Sequence, residues 1–169
     1  MSTVIPARFT AQTDEPFVVF LIGMRVNKIA EFRKWTSVAL AMPPMIKELM
    51  THPEKGCLGI ESFFSLWPLT TCMVTYWRSF EDLEHFARSK DDPHLAAWRE
   101  FNKRVGQDGT VGVWHETYLV PARQYEAVYA NMPPFGLAKA TAHVPAVGRR
   151  ETARRRLGGE NEPAVATGA

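Results

Sequence analysis

Residues 17–24, running Phe17-Val18-Val19-Phe20-Leu21-Ile22-Gly23-Met24, carry an apolar residue or glycine at every position. In an extended strand successive side chains point to opposite faces, so Phe17, Val19 and Leu21 share one side while Val18, Phe20 and Ile22 share the other. A sheet with one wet face alternates apolar with polar residues, and this strand does not. It therefore needs a covering layer on both sides.

The segments that follow supply one of those layers. Asn27 is placed to cap a helix whose apolar positions Ile29, Phe32, Trp35, Ala39 and Met42 recur at helical spacing. Pro43-Pro44 interrupts it, and because proline suits a first helical turn, a second piece with Met45, Ile46, Leu49 and Met50 is expected to start there and to close at His52-Pro53. Strands are expected at Cys57–Leu66 and Thr71–Arg78, joined into a hairpin by Trp67-Pro68-Leu69-Thr70. Ser79 followed by Asp82 resembles a helix start, with Phe80, Leu83 and Phe86 as its buried stripe and His85 turned to solvent. Asp92-Pro93 restarts the helix; Leu95, Trp98, Phe101 and Val105 line its inner face, and Gly106 ends it. A last strand runs from Val111 to Val120, followed by a short helical turn around Tyr125 to Ala130.

Strand, helix, hairpin, helix, strand is the β-α-β-β-α-β order of a ferredoxin-like α+β fold, a four-stranded antiparallel sheet with its helices on one face. The helices cover one side of the first strand. The other side is most simply covered by the sheet of a second copy, giving a dimeric α+β barrel. With 169 residues, 46% of them hydrophobic, the chain is sized for one such domain, read here as residues 16–140 after a flexible arm at 1–15 and before a disordered basic tail at 141–169.

Charge separates the body from that tail. In the last thirty-one residues Lys139, Arg149, Arg150, Arg154, Arg155 and Arg156 face only Glu151, Glu160 and Glu162, leaving 14 basic and 15 acidic residues in the rest. A near-neutral body argues against a nucleic-acid surface, which needs clustered cations on an ordered face, and the alanine and glycine of the tail read as a solvated extension. Cys57 and Cys72 are too few for a disulfide framework and read as free thiols. The first residues show no basic start followed by an apolar run, and no stretch approaches the roughly 18 apolar residues of a membrane span, so a cytoplasmic protein is expected. Glycine-rich phosphate loops, zinc-spaced Cys or His pairs and a Gly-x-Ser-x-Gly elbow are all missing from the sequence, and no metal site is expected.

Chemistry concentrates in the last strand, Val113-Trp114-His115-Glu116-Thr117-Tyr118. His115 shares a face with Val113 and Thr117; Trp114, Glu116 and Tyr118 share the other. Whichever set meets a low-dielectric cavity brings a titratable group against aromatic walls, so His115 and Glu116 are the candidate catalytic residues and Trp114 and Tyr118 candidate substrate contacts. The same residue types also serve as hydrogen-bonded structural groups or interface ion pairs. Trp77 and Trp98 add large apolar surfaces, as core or cavity wall. His94, in the first turn of a helix, favours the neutral ring that a ligand or base requires. Tyr125, Tyr129 and Phe135 follow the last strand in a loop rich in aromatics, placed to act as a lid, as a clamp on a partner, or as satellite packing.

Tyr76-Trp77-Arg78-Ser79-Phe80-Glu81-Asp82-Leu83, with Phe86-Ala87-Arg88-Ser89 and Pro93-His94-Leu95, resembles the strand-to-helix segment of the dimeric α+β barrel superfamily that includes the antibiotic-biosynthesis monooxygenases. Trp114-His115-Glu116-Thr117-Tyr118, then Tyr125-Glu126 and Asn131-Met132-Pro133-Pro134-Phe135-Gly136-Leu137, resembles more closely the DUF4188 family, also described as fungal-monooxygenase-like. The resemblance spans about residues 17 to 140. It implies a homodimer with a cavity in each subunit's barrel half. Related barrels oxidise aromatic polyketides without a cofactor, degrade haem, or use haem to dehydrate aldoximes. Of the haem degraders' pattern only the tryptophan-serine strand end is retained; Trp98 and Phe101 stand where the ligand histidine would fall. The expected function is thus a monooxygenase-like oxidation of a small hydrophobic substrate. The alternatives are a haem-dependent lyase resembling aldoxime dehydratases, with His94 or His115 as axial ligand, and a non-catalytic small-ligand carrier. The cofactor is accordingly none or haem.

Overall fold

A computed structural model describes residues 3–88, 99 and 101–160. The chain forms two compact units, one of residues 18–118 and one of residues 1–17 with 119–169. The expected helix around Asp92-Pro93, together with His94 and Trp98, lies outside the described residues.

Along the chain come β1 (Ile5–Gln12), β2 (Phe17–Val26), α1 (Phe32–Ala39), α2 (Met42–Thr51), β3 (Cys57–Leu66), β4 (Leu69–Trp77), α3 (Phe80–Arg88), α4 (residues 101–105), β5 (Val111–Val120), β6 (Tyr129–Met132), α5 (Gly136–Ala140), β7 (Ala142–Pro145) and α6 (Ala153–Arg156).

The larger unit holds a four-stranded sheet in the order β3-β4-β2-β5, the ferredoxin-like α+β arrangement. β2 and β4 pair antiparallel from Val18↔Trp77 to Arg25↔Thr70, and β4 closes a hairpin with β3 from Cys57↔Trp77 to Leu66↔Leu69. β5 runs antiparallel along β2: Asn27 donates its N–H to the Thr110 carbonyl at 2.9 Å, while further up β2, Gly23 lies under Trp114. The even-numbered face of β2 meets the helices. Met24 and Val26 pack with Val38, Phe101 and Val111, and Val18 packs with Leu49, Trp77 and Leu83. Each joins residues distant in sequence, so tertiary burial rather than local propensity holds these short helices.

Several local expectations are met with identifiable physics. Pro43 and Pro44 occupy the first turn of α2, where an N–H has no partner to lose. Ser79 Oγ accepts the Asp82 N–H at 3.0 Å as an N-cap does, and Gly106, at φ 60°, ends α4 with its N–H on the Asn102 carbonyl. Arg78 then grips Asp82 with two hydrogen bonds of 2.8 and 3.1 Å, pulling that carboxyl below its usual range. His85 is exposed.

Asn27 does not cap α1. Its side chain reaches the Gly109 carbonyl and ties β2 to the loop before β5, while α1 starts at Phe32 without a side-chain cap.

The ends of the chain differ more. Residues 5–12, expected as part of a flexible arm, form β1, the centre of a three-stranded sheet in the order β6-β1-β7. Residues 142–145, expected in a disordered tail, form β7, paired to β1 from Phe9↔Pro145 to Gln12↔Ala142. The basic segment beyond it is also held: Thr152 caps α6, and the guanidinium of Arg156, its side chain only 7% exposed, bonds Glu126 through Nε at 2.8 Å. Tyr125 to Ala130 is not a helical turn. Tyr129 begins β6 opposite Phe9, and the Tyr125 hydroxyl accepts the Thr13 N–H at 2.6 Å and donates to the Thr13 carbonyl at 3.0 Å.

Candidate functional site

Between the helix-facing side of the sheet and α2 and α3 lies a cavity of about 350 Å³. Three strands supply its floor on one parity: Phe20 and Ile22 from β2, Met73, Thr75 and Trp77 from β4, and His115 and Thr117 from β5. Met42, Met45, Ile46 and Leu49 of α2 and Phe80, Leu83 and Phe86 of α3 close over them. Methionines fit irregular apolar surfaces because their side chains are unbranched and polarizable. A second cavity of about 260 Å³ adjoins along α2 and shares Ile22, Met42, Ile46 and Met73 with the first.

The polar groups of the floor are few and differ in how they are used. Thr75 is 2% exposed, and its hydroxyl is fully committed: it accepts the Trp77 indole N–H at 2.8 Å and donates to the Phe20 carbonyl at 3.0 Å. That clamp fixes the Trp77 ring, 5.5 Å from Phe86, as a rigid wall. His115 lies 5.7 Å from the Phe20 ring, on an exposed stretch of β5 at the cavity rim, and its ring nitrogens have no hydrogen-bond partner among the described residues. A neutral imidazole so placed offers one acceptor and one donor to a ligand.

Glu116 is on the opposite face. It accepts a hydrogen bond from the Tyr118 hydroxyl, holding that phenol above its ordinary range. Burial first, and then the charge of Glu116, push the Cys72 thiol upward. Trp114 shares this face and lies against Gly23 so closely that a Cβ there would stand 2.5 Å from the indole nitrogen. The structure therefore brings His115 and Trp77 to one cavity and groups Trp114, Glu116 and Tyr118 on the back of the sheet, the sheet itself between the two sets. Phe135 is placed in the other unit, half-buried at the N-cap of α5. Thr75 went unmarked in the sequence, and the methionines of α2 were marked only as apolar helix positions, not as a cavity wall. The signal for Thr75 was its parity with Trp77 on a strand already assigned.

Among the described residues no three or more His, Cys, Asp or Glu side chains converge on a metal-sized point, and no helix is long and apolar enough to cross a membrane. Both cysteines are free thiols.

Comparison with known proteins then gives the relationship. The sequence profile of the family described as "Monooxygenase af470-like" matches residues 17–137. The chain belongs to the monooxygenase af470-like family. It is similar to monooxygenase af470 of Aspergillus fumigatus, 27% identical over 164 residues, with 85% of this chain and 58% of that protein covered. Two solved structures share the fold of this af470-like chain. A crystal structure of an aldoxime dehydratase in complex with butyraldoxime superposes with a TM-score of 0.64 at 16% identity, over 84% of this chain and 42% of the other. A further aldoxime dehydratase gives 0.62 at 20% identity, over 86% and 45%. The af470-like chain thus spans little over half the length of its curated relative and under half of either dehydratase.

Proposed function

We propose that this af470-like protein is a monooxygenase-type enzyme that holds a small hydrophobic substrate in the helix-face cavity, with His115 moving the proton. The observation that carries this reading is an apolar cavity whose floor offers an imidazole, His115, with no hydrogen-bond partner among the described residues. Trp77, pinned by Thr75, and the methionine wall of α2 orient the substrate toward His115 at the rim. Positioned acid–base catalysis contributes typically 10²–10⁴-fold, so loss of His115 is expected to lower turnover by about that factor. Glu116 is assigned a different task here, ordering Tyr118 on the back of the sheet.

A second copy is proposed to cover that back. Phe63 is 47% exposed, Trp114 36% and Tyr118 51%, an apolar area that a partner sheet would remove from water. The partners are then a second copy and the substrate.

The same unpartnered His115 supports a second reading, a haem-dependent lyase. His115 is the side chain that would hold a haem there, and a bound haem would supply an iron centre for substrate binding. An absorption spectrum of protein purified from haem-supplemented cells separates the two: a Soret band that is lost in His115→Ala favours the lyase. Its absence, with His115→Ala abolishing oxygen-dependent turnover of a substrate found by screening apolar phenols and ketones, favours the oxygenase. If His115→Ala keeps full turnover, the assignment of His115 is wrong. A small molecule that co-purifies and is returned unchanged would instead mark a carrier.

A further inference from the structure

Five arginines line one cavity in the smaller unit. Arg123, Arg149, Arg150, Arg155 and Arg156 surround a space of about 230 Å³ at the end of β1, with Asp14 and Glu126 as the carboxylates of its wall. Two arginines are matched there: Arg123 pairs with Asp14 at 3.2 Å, and Arg156 with Glu126. Arg155 donates to the Gly148 carbonyl at 2.8 Å and stands 3.4 Å from the largely exposed Glu151, while its buried Nε has no partner. Neither Arg149 nor Arg150 has a carboxylate partner among the described residues, and both are exposed. With Glu151 counted against Arg155, two of the five arginines, Arg149 and Arg150, are left unbalanced by any carboxylate among the described residues.

We infer that this cavity is a binding site for a diphosphate group, either free pyrophosphate or the head of a larger organic diphosphate. The two unbalanced charges call for a ligand with at least two negative charges, and guanidinium forks match phosphate oxygens two at a time. Concavity distinguishes it from a nucleic-acid or membrane surface, since those need cations spread over an extended face. Size sets the other limit. Against the roughly 30 Å³ that one water occupies in the liquid, the space takes several waters, and so one or two phosphoryl groups, but falls short of the ~300 Å³ at which pockets begin to enclose a drug-sized ligand. The inference is independent of the oxygenase reading, which concerns the other unit.

The test is titration calorimetry on the full chain with inorganic pyrophosphate, adenosine diphosphate and sulfate, at about 0.15 M salt where surface charges are screened beyond ~8 Å. Saturable pyrophosphate binding is expected, weakened at least about tenfold in R149A/R150A, a pair whose exposed side chains can be removed without unfolding the chain. Arg155→Lys keeps the charge but loses the fork and is expected to weaken binding by about fivefold. The control pair R33A/K47A removes the same charge from exposed positions in the larger unit and is expected to leave binding unchanged. Tighter binding of adenosine diphosphate than of pyrophosphate would place an organic portion outside the cavity, and the reverse order would point to the free anion. The site is disproved if pyrophosphate does not saturate, if sulfate binds as well, or if the control pair weakens binding equally.

Discussion

At the scale of single residues, the Trp77 indole and the Thr75 hydroxyl show how a polar atom can sit in an apolar floor at little cost. The hydroxyl gives one hydrogen bond and takes one, so no donor is left bare. Thr75→Val keeps the shape and strands the indole N–H; it is expected to lower unfolding free energy by about 1–3 kcal/mol in a urea titration and to raise the mobility of the Trp77 fluorescence. Cys57 offers a titration test. Burial pushes its thiol up to about 11, partly opposed by a hydrogen bond from the Gly59 backbone. The unfolded chain releases this proton near the ordinary thiol pKa of about 8.5, the folded chain only near its raised value, so the stability it contributes is complete below about pH 8.5 and drains away up to the folded pKa. Cys57→Ala is expected to flatten that alkaline loss, and at pH 8 Cys57 is expected to react with iodoacetamide more slowly than Cys72. Equal rates would mean that burial does not protect it.

At the scale of elements, the close approach of β5 to β2 depends on Gly23. A Cβ there would meet the Trp114 ring at 2.5 Å and the Thr71 backbone carbonyl at 2.7 Å, and the carbonyl cannot swing aside as a side chain can. Gly23→Ala is therefore expected to destabilise by about 1–3 kcal/mol, as overpacking does, and to displace the Trp114 ring, read as a change in tryptophan emission. A stability loss without any change at Trp114 would locate the strain on the β4 side alone. The strands of the larger unit and the starts of α2 and α3 were legible because they are local. The parity of Phe17–Met24, the proline pair in the first turn of α2 and the Ser79 cap each act within a few residues. β1 was not legible: its core positions Thr10 and Ala11 are small, its register is interrupted between Ile5 and Arg8, and its partners β6 and β7 lie far along the chain. No short window holds enough of that sheet to show a strand.

At the scale of the whole molecule, the exposed back face carries the assembly proposal. A pair of chains related by two-fold symmetry would bury Trp114 and Phe63, so Trp114→Lys combined with Phe63→Lys is expected to shift the sedimentation coefficient from dimer to monomer while the circular dichroism is retained. Wild-type protein that sediments as a monomer at high concentration would remove the second copy. It would leave the helix-face cavity intact, because every residue lining that cavity comes from one chain.

Alternation along the last strand placed His115 and Glu116 on opposite faces before any fold was known, because a pleated backbone allows nothing else. Apolar spacing elsewhere in the chain gave the order of strands in the larger unit, and the run Phe17–Met24 is the reason a cover is expected on both sides of β2. Which face meets the helices was decided only in three dimensions, since that depends on where α2 and α3 dock, a sum of many weak apolar contacts between residues far apart in sequence. The same holds for the arginines near the end of the chain. Composition alone presented them as a solvated run; pairing of β7 with β1 and of Arg156 with Glu126 folded them around a cavity.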